Sequence, residues 1–172
     1  KDCSTQQVPT LGEKFDSYEK FGGSNLGEIY GNTLRTALNY QAKTFASAYI
    51  ENLGDGSFDF KPLPNLAQVS SINNILIKDY DLDGYQDLVI SGNLYQSEIE
   101  TPRNDAGYGL FLKGNGKGTF VPVPLVESGF LAPHDAKDMK SIQVGNREII
   151  LVANNRNYLQ TIELVQELLS AR

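Results

Sequence analysis

The chain has no tryptophan and only one cysteine, one histidine and one methionine among its 172 residues. A lone Cys3 leaves no internal disulfide to make, and one histidine beside it cannot build a Cys/His metal cluster. No Gly-x-Ser-x-Gly elbow occurs, so no nucleophile motif of that kind is present. No apolar run approaches the ~18 residues of a membrane-crossing helix. Positive charge is in deficit: 15 Lys and Arg stand against 21 Asp and Glu, for a net charge of -6. That balance argues against nucleic acid or an anionic membrane as partner. No secretory signal pattern is visible, which leads to the expectation of a mature or trimmed chain. Cys3 follows Lys1 and Asp2, whereas the lipid-bearing cysteine of a bacterial lipoprotein becomes the first residue. A lipid anchor is therefore not expected.

What the sequence does have is glycine, tyrosine and acid. Sixteen Gly and nine Tyr, with many Asn and Asp, give the turn-rich character of a mainly β protein. The densest stretch is Asp79-Tyr80-Asp81-Leu82-Asp83-Gly84-Tyr85-Gln86-Asp87, with carboxylates at its positions 1, 3, 5 and 9. Calcium is a hard cation that takes six to eight oxygens at about 2.3–2.6 Å. Alternating carboxylates on a tight turn can aim several oxygens inward, and Gly84 permits the turn. An EF-hand would place a bidentate Glu at position 12 of its loop, but Ile90 stands there. The preceding Ile75-Leu76-Ile77 reads as strand rather than helix. The candidate ligand set is therefore Asp79, Asp81, Asp83, the backbone carbonyl of Tyr85, and Asp87. A turn rich in Asp only because Asp suits turns is the alternative.

The β part repeats. Asn52-Leu53-Gly54-Asp55-Gly56-Ser57-Phe58 matches Gly114-Asn115-Gly116-Lys117-Gly118-Thr119-Phe120 at an offset of 62 residues. The same offset carries Leu88–Asn93 onto Ile150–Asn155. Within one repeat, Ile75–Lys78, Asp87–Ser91, Tyr108–Lys113 and Thr119–Val123 read as successive strands. Four sequential antiparallel strands make the blade of a β-propeller. On this frame, residues 42–64 supply the last two strands of one blade, 75–124 a full blade, and 137–165 three strands of another. A propeller closes with four to eight blades, so the chain is a partial propeller. It needs further blades, or another chain, to complete a ring. In the last repeat the offset puts Ser141, Gln143, Gly145 and Ile149 where the aspartates stood. One metal site is expected, not two.

Ahead of the sheets, residues 1–41 form a lead-in and a short helical region. Residues 1–10 are polar and expected to be extended. Ser17 is placed to cap a helix with Tyr18 and Phe21, and Ser24 another with Leu26, Ile29 and Tyr30. Leu34, Ala37 and Leu38 continue the helical spacing. Residues 166–172 are set apart as a tail. Between the second and third strands lies a long polar loop, 94–107, carrying Glu98, Glu100, Arg103 and Asp105 as candidate ligand-binding residues. Arg103 would clamp a carboxylate or a sugar hydroxyl beside Tyr95 or Tyr108, or would pair with Asp105 or a glutamate and pin the loop. The latter is favoured. His134, in Ala132-Pro133-His134-Asp135, has no catalytic partner set by sequence alone. Gly114-Asn115-Gly116-Lys117-Gly118 lacks the Lys-Ser/Thr ending of a phosphate cradle.

Asp79-x-Asp81-x-Asp83-Gly84-x-x-Asp87-Leu88-Val89-Ile90, then Gly92-Asn93 and Gly114-Asn115-Gly116-x-Gly118-x-Phe120, resembles the FG-GAP/VCBS repeats of integrin-like β-propellers. The resemblance covers roughly residues 42–160, and the 98–107 segment resembles bacterial VCBS proteins. It implies calcium between the first two strands of a blade. It also implies a non-enzymatic extracellular or cell-surface module of a secreted bacterial protein, working in adhesion, in binding a protein or glycan ligand, or in assembly. The alternative is a polysaccharide-acting enzyme, or its accessory domain, using loop 94–107. The Glu98/Glu100 pair suggests an acid and a nucleophile, but alternating carboxylates more often flank a strand or loop than face one substrate. Fold alone does not separate the two.

Overall fold

Leu88-Val89-Ile90 is apolar on both faces of its strand, and the structure buries all three. A strand that alternates apolar with polar covers one core, whereas a continuous apolar run belongs between two. The computed structural model describes residues 1–165 and is mainly β, with three antiparallel sheets and a few short helices. The expected tail, 166–172, lies outside the described residues. The chain divides into two units, Lys1–Thr44 and Phe45 onward.

In the second unit, β1 (Ala48–Asn52) and β2 (Phe58–Pro62) form a hairpin. A four-stranded sheet follows in sequence order: β3 (Asn74–Lys78), β4 (Asp87–Ser91), β5 (Leu110–Gly114) and β6 (Phe120–Val123). After a one-turn helix, Leu125–Ser128, a three-stranded sheet is built from β7 (Ala136–Val144), β8 (Arg147–Asn154) and β9 (Gln160–Leu164). The sequence places β5 and β6 one or two residues early; the strands start where Gly109 and Thr119 end their turns. Gly54, Gly56, Gly116 and Gly118 all have positive φ, as the matched turns require.

The middle sheet has apolar cover on each face. Val89 and Phe111 share a core with Met139, Ile150 and Val152 of the last sheet. Leu88, Ile90, Leu110 and Leu112 face the other way, against Leu63 and Ala67. Leu112 is wholly buried; truncating such a side chain to Ala costs about 2–5 kcal/mol. In the last sheet Val144 pairs with Arg147 across a two-residue Gly145-Asn146 turn, with Gly145 at φ 61. Strand pairing runs on through the space that the acidic loop occupies in the middle sheet.

The first unit carries helices α1 (Asp2–Gln7), α2 (Thr10–Lys14), α3 (Tyr18–Gly22) and α4 (Leu26–Tyr30), around a small core of Leu11, Phe15 and Ile29. Three expectations are corrected here. Residues 2–7 are helical, not extended, although the helix buries nothing. Ser17 caps α3 by accepting from the Lys20 N–H, but α4 is capped one residue later than expected. Asn25 accepts from the Glu28 N–H while the Glu28 carboxylate accepts from the Asn25 N–H. This reciprocal box satisfies two terminal donors, where a lone Ser24 satisfies one. The chain then tightens into a 3-10 turn, Gly31–Arg35, instead of continuing helically to Leu38. Leu38 is 86% exposed, so no buried stripe is there to hold a helix.

Candidate metal loop

Lys78 ends β3 and Asp87 starts β4, and the acidic loop spans the gap between them. Its backbone is made by its own carboxylates. Asp79 Oδ1 accepts from the Asp83 N–H at 3.1 Å and Oδ2 from the Gly84 N–H at 2.9 Å. Asp81 Oδ1 accepts from the Asp83 N–H at 3.3 Å, and Asp83 Oδ1 from the Tyr85 N–H at 2.9 Å. Gly84, at φ 93, takes the left-handed step, and so does exposed Leu82 at φ 61.

Asp87 is the buried anchor. Its Oδ2 accepts from the Tyr80 N–H at 3.0 Å and its Oδ1 from the Gly114 N–H at 2.8 Å. Burial pushes its carboxyl up, and those two amides pull it back only in part. Tyr80 packs edge-on against Phe111; burial, with the charges of Glu148 and Asp87, pushes its hydroxyl up to about 12. The Tyr85 ring covers Gly116, where a Cβ would come within 2.3 Å of Tyr85 Cδ1.

Asp79, Asp81 and Asp87 offer carboxylate oxygens that all lie within 4.8 Å of one another. Asp83 is outside that set. Its Oδ2 lies 3.0 Å from Lys113 Nζ, and the same ammonium contacts Asp81 Oδ2. The Asp81 and Asp83 carboxylates hold the Lys113 ammonium above the usual lysine range. In return Lys113, then the Tyr85 amide, hold the Asp83 carboxyl below its usual value. Lys113 is the residue at this loop that sequence reading missed. It lies far from the loop in sequence, and only strand pairing delivers it; the sole signal was its place next to the Gly114-Asn115-Gly116 motif.

Loop 94–107 is closed at its base by paired backbone bonds between Leu94 and Asn104, each 2.8 Å. Arg103 donates to Asp105 Oδ2 at 2.7 Å and stacks over the Tyr95 ring at 4.6 Å. Glu98 Oε1 accepts from the Thr101 hydroxyl at 2.8 Å, while Glu100 sits exposed on the same turn. The four residues expected as a ligand site are thus partly spent on the loop's own shape.

A buried amide ties this loop down. Asn93 Oδ1 accepts from the Gly107 N–H at 3.0 Å and from the Ser70 hydroxyl at 2.6 Å. Its Nδ2 donates to the carbonyls of Gly107, Pro133 and His134. His134 enters through that carbonyl, and the Asp135 carboxylate turns to Lys137 at 2.6 Å and to Asn155 at 3.1 Å. No family model, curated protein or solved structure matches the chain.

Proposed function

We propose that this chain is a non-enzymatic, calcium-binding β-propeller module that works outside the cell or at its surface. The observation that carries the reading is the convergence of Asp79, Asp81 and Asp87 oxygens within 4.8 Å. Oxygens on opposite sides of a calcium ion stand about 4.6–5.2 Å apart, twice the usual bond length, so this set fits one coordination sphere. The donors are all hard oxygen, which suits calcium and not a thiolate- or imidazole-seeking metal. Asp79, Asp81, Asp83 and Asp87, with the Tyr85 carbonyl, would hold the ion. Bound there, it supplies charge neutralisation and rigidity rather than chemistry.

The propeller reading is supported by consecutive antiparallel sheets, and by a middle sheet covered on both faces as an inner blade would be. The β1–β2 hairpin and the three-stranded sheet would be completed by further blades or by another chain. The partner is a protein or glycan ligand met in adhesion or assembly, in a secreted bacterial protein. Arg103, Asp105 and Glu98 are engaged within their loop, which weighs against the polysaccharide-enzyme alternative.

Equilibrium dialysis against radioactive calcium tests the reading. One ion per chain is expected for the natural sequence, and a strong loss for Asp79→Asn combined with Asp81→Asn. No bound calcium at millimolar concentration would contradict it.

A further inference from the structure

Every carboxylate oxygen of the acidic loop has a partner, and the partners divide into two kinds. Backbone amides take both oxygens of Asp79, both of Asp87, and one each from Asp81 and Asp83. The two oxygens that no amide uses, Asp81 Oδ2 and Asp83 Oδ2, both meet Lys113 Nζ. An amide leaves a carboxylate oxygen a second lone pair, so the amide contacts shape the loop and keep it able to bind a cation. An ammonium group fills the space between the oxygens and supplies the positive charge itself.

We propose that Lys113 is the loop's built-in competitor for divalent cations and sets the concentration at which the loop fills. This rests on the calcium reading above. Lys113 stands on β5 directly before Gly114, whose N–H is bound to Asp87, so the strand that anchors the loop also delivers the ammonium. A tethered cation cannot be diluted away. An incoming divalent ion that binds through Asp81 displaces the ammonium from it, and one that also draws in Asp83 takes both of its partners. The Lys113 side chain is 45% exposed, so a route out to solvent is open to it. The consequence is a loop that fills only in calcium-rich surroundings and keeps its shape without the ion.

The test compares the full chain with Lys113→Met, which keeps the aliphatic stem, and with Lys113→Arg, which keeps the charge. Calcium affinity by isothermal titration calorimetry should be about tenfold tighter in Lys113→Met and close to natural in Lys113→Arg. In EDTA, Lys113→Met should melt below the natural chain, and saturating calcium should close that gap. Unchanged or weaker calcium affinity in Lys113→Met, with the natural chain binding, overturns the competition alone. Absence of calcium binding to all three proteins overturns it together with the reading it rests on.

Discussion

The Asp87 carboxylate and the Gly114 backbone lock the acidic loop to the third strand of its sheet. Asp87 is fully buried, and its Oδ1 accepts the Gly114 N–H at 2.8 Å. Glycine is required at this approach: a Cβ on residue 114 would stand 2.0 Å from the Gln86 carbonyl oxygen. The ninth residue of the loop is thus its foundation, holding the Tyr80 and Gly114 amides.

Gly114→Ala should therefore be far more destabilising than alanine at an ordinary strand position. The clash is with backbone, which cannot rotate away, so a loss of at least about 2–3 kcal/mol is expected. Asp87→Asn keeps the size but turns an NH2 group toward one of two N–H donors, and should cost about 1–3 kcal/mol. Urea denaturation of each variant in EDTA measures both losses; midpoints equal to the natural chain's would refute the lock.

Asn93→Ala should destabilise by about 2–4 kcal/mol, because it strands Gly107 and two further carbonyls without their partner. Amide hydrogen exchange should show Gly107 losing its protection first, ahead of the strands of the middle sheet. An effect below about 0.5 kcal/mol would mean that water replaces the side chain.

These two contacts mark what the sequence could reveal. The hairpin turns were legible because Gly54, Gly56, Gly116 and Gly118 sit where only a positive φ closes the turn. The acidic loop was legible because Asp spacing and Gly84 are local signals. Its replacement by the Gly145-Asn146 turn could be read from the repeat. Lys113 and the partners of Asn93 were not legible, since their meaning comes from strand pairing and from carbonyls some 40 residues away. Helix α1 escaped because it buries no residue, leaving no apolar stripe to see. Asn25 and Ser24 are both good caps in sequence, and only the reciprocal bond of Asn25 with Glu28 decides between them.

Acid should weaken the second unit partly through Asp135. Burial pushes this carboxyl up, but Lys137, Asn155 and the Tyr95 amide more than offset it, leaving it below the usual range. A lowered carboxyl contributes stability that is full above its unfolded value of about 3.9 and is lost as pH falls through the folded value. Urea midpoints measured from pH 6 down to pH 2.5 should fall less steeply below about pH 4 for Asp135→Asn than for the natural chain. At pH 7 the same substitution should cost about 1–3 kcal/mol. Parallel acid limbs would show that Asp135 does not drive the loss.

The most direct test of the calcium loop is a thermal melt of the natural chain and of Asp81→Ala, each in EDTA and in graded calcium. An ion that binds only the folded chain raises the midpoint with its concentration. The account predicts a rise of several degrees across the millimolar range in the natural chain, reversed by EDTA and absent in Asp81→Ala. Midpoints for the natural chain that coincide in EDTA and calcium would contradict it, and would leave the four aspartates as the makers of a turn.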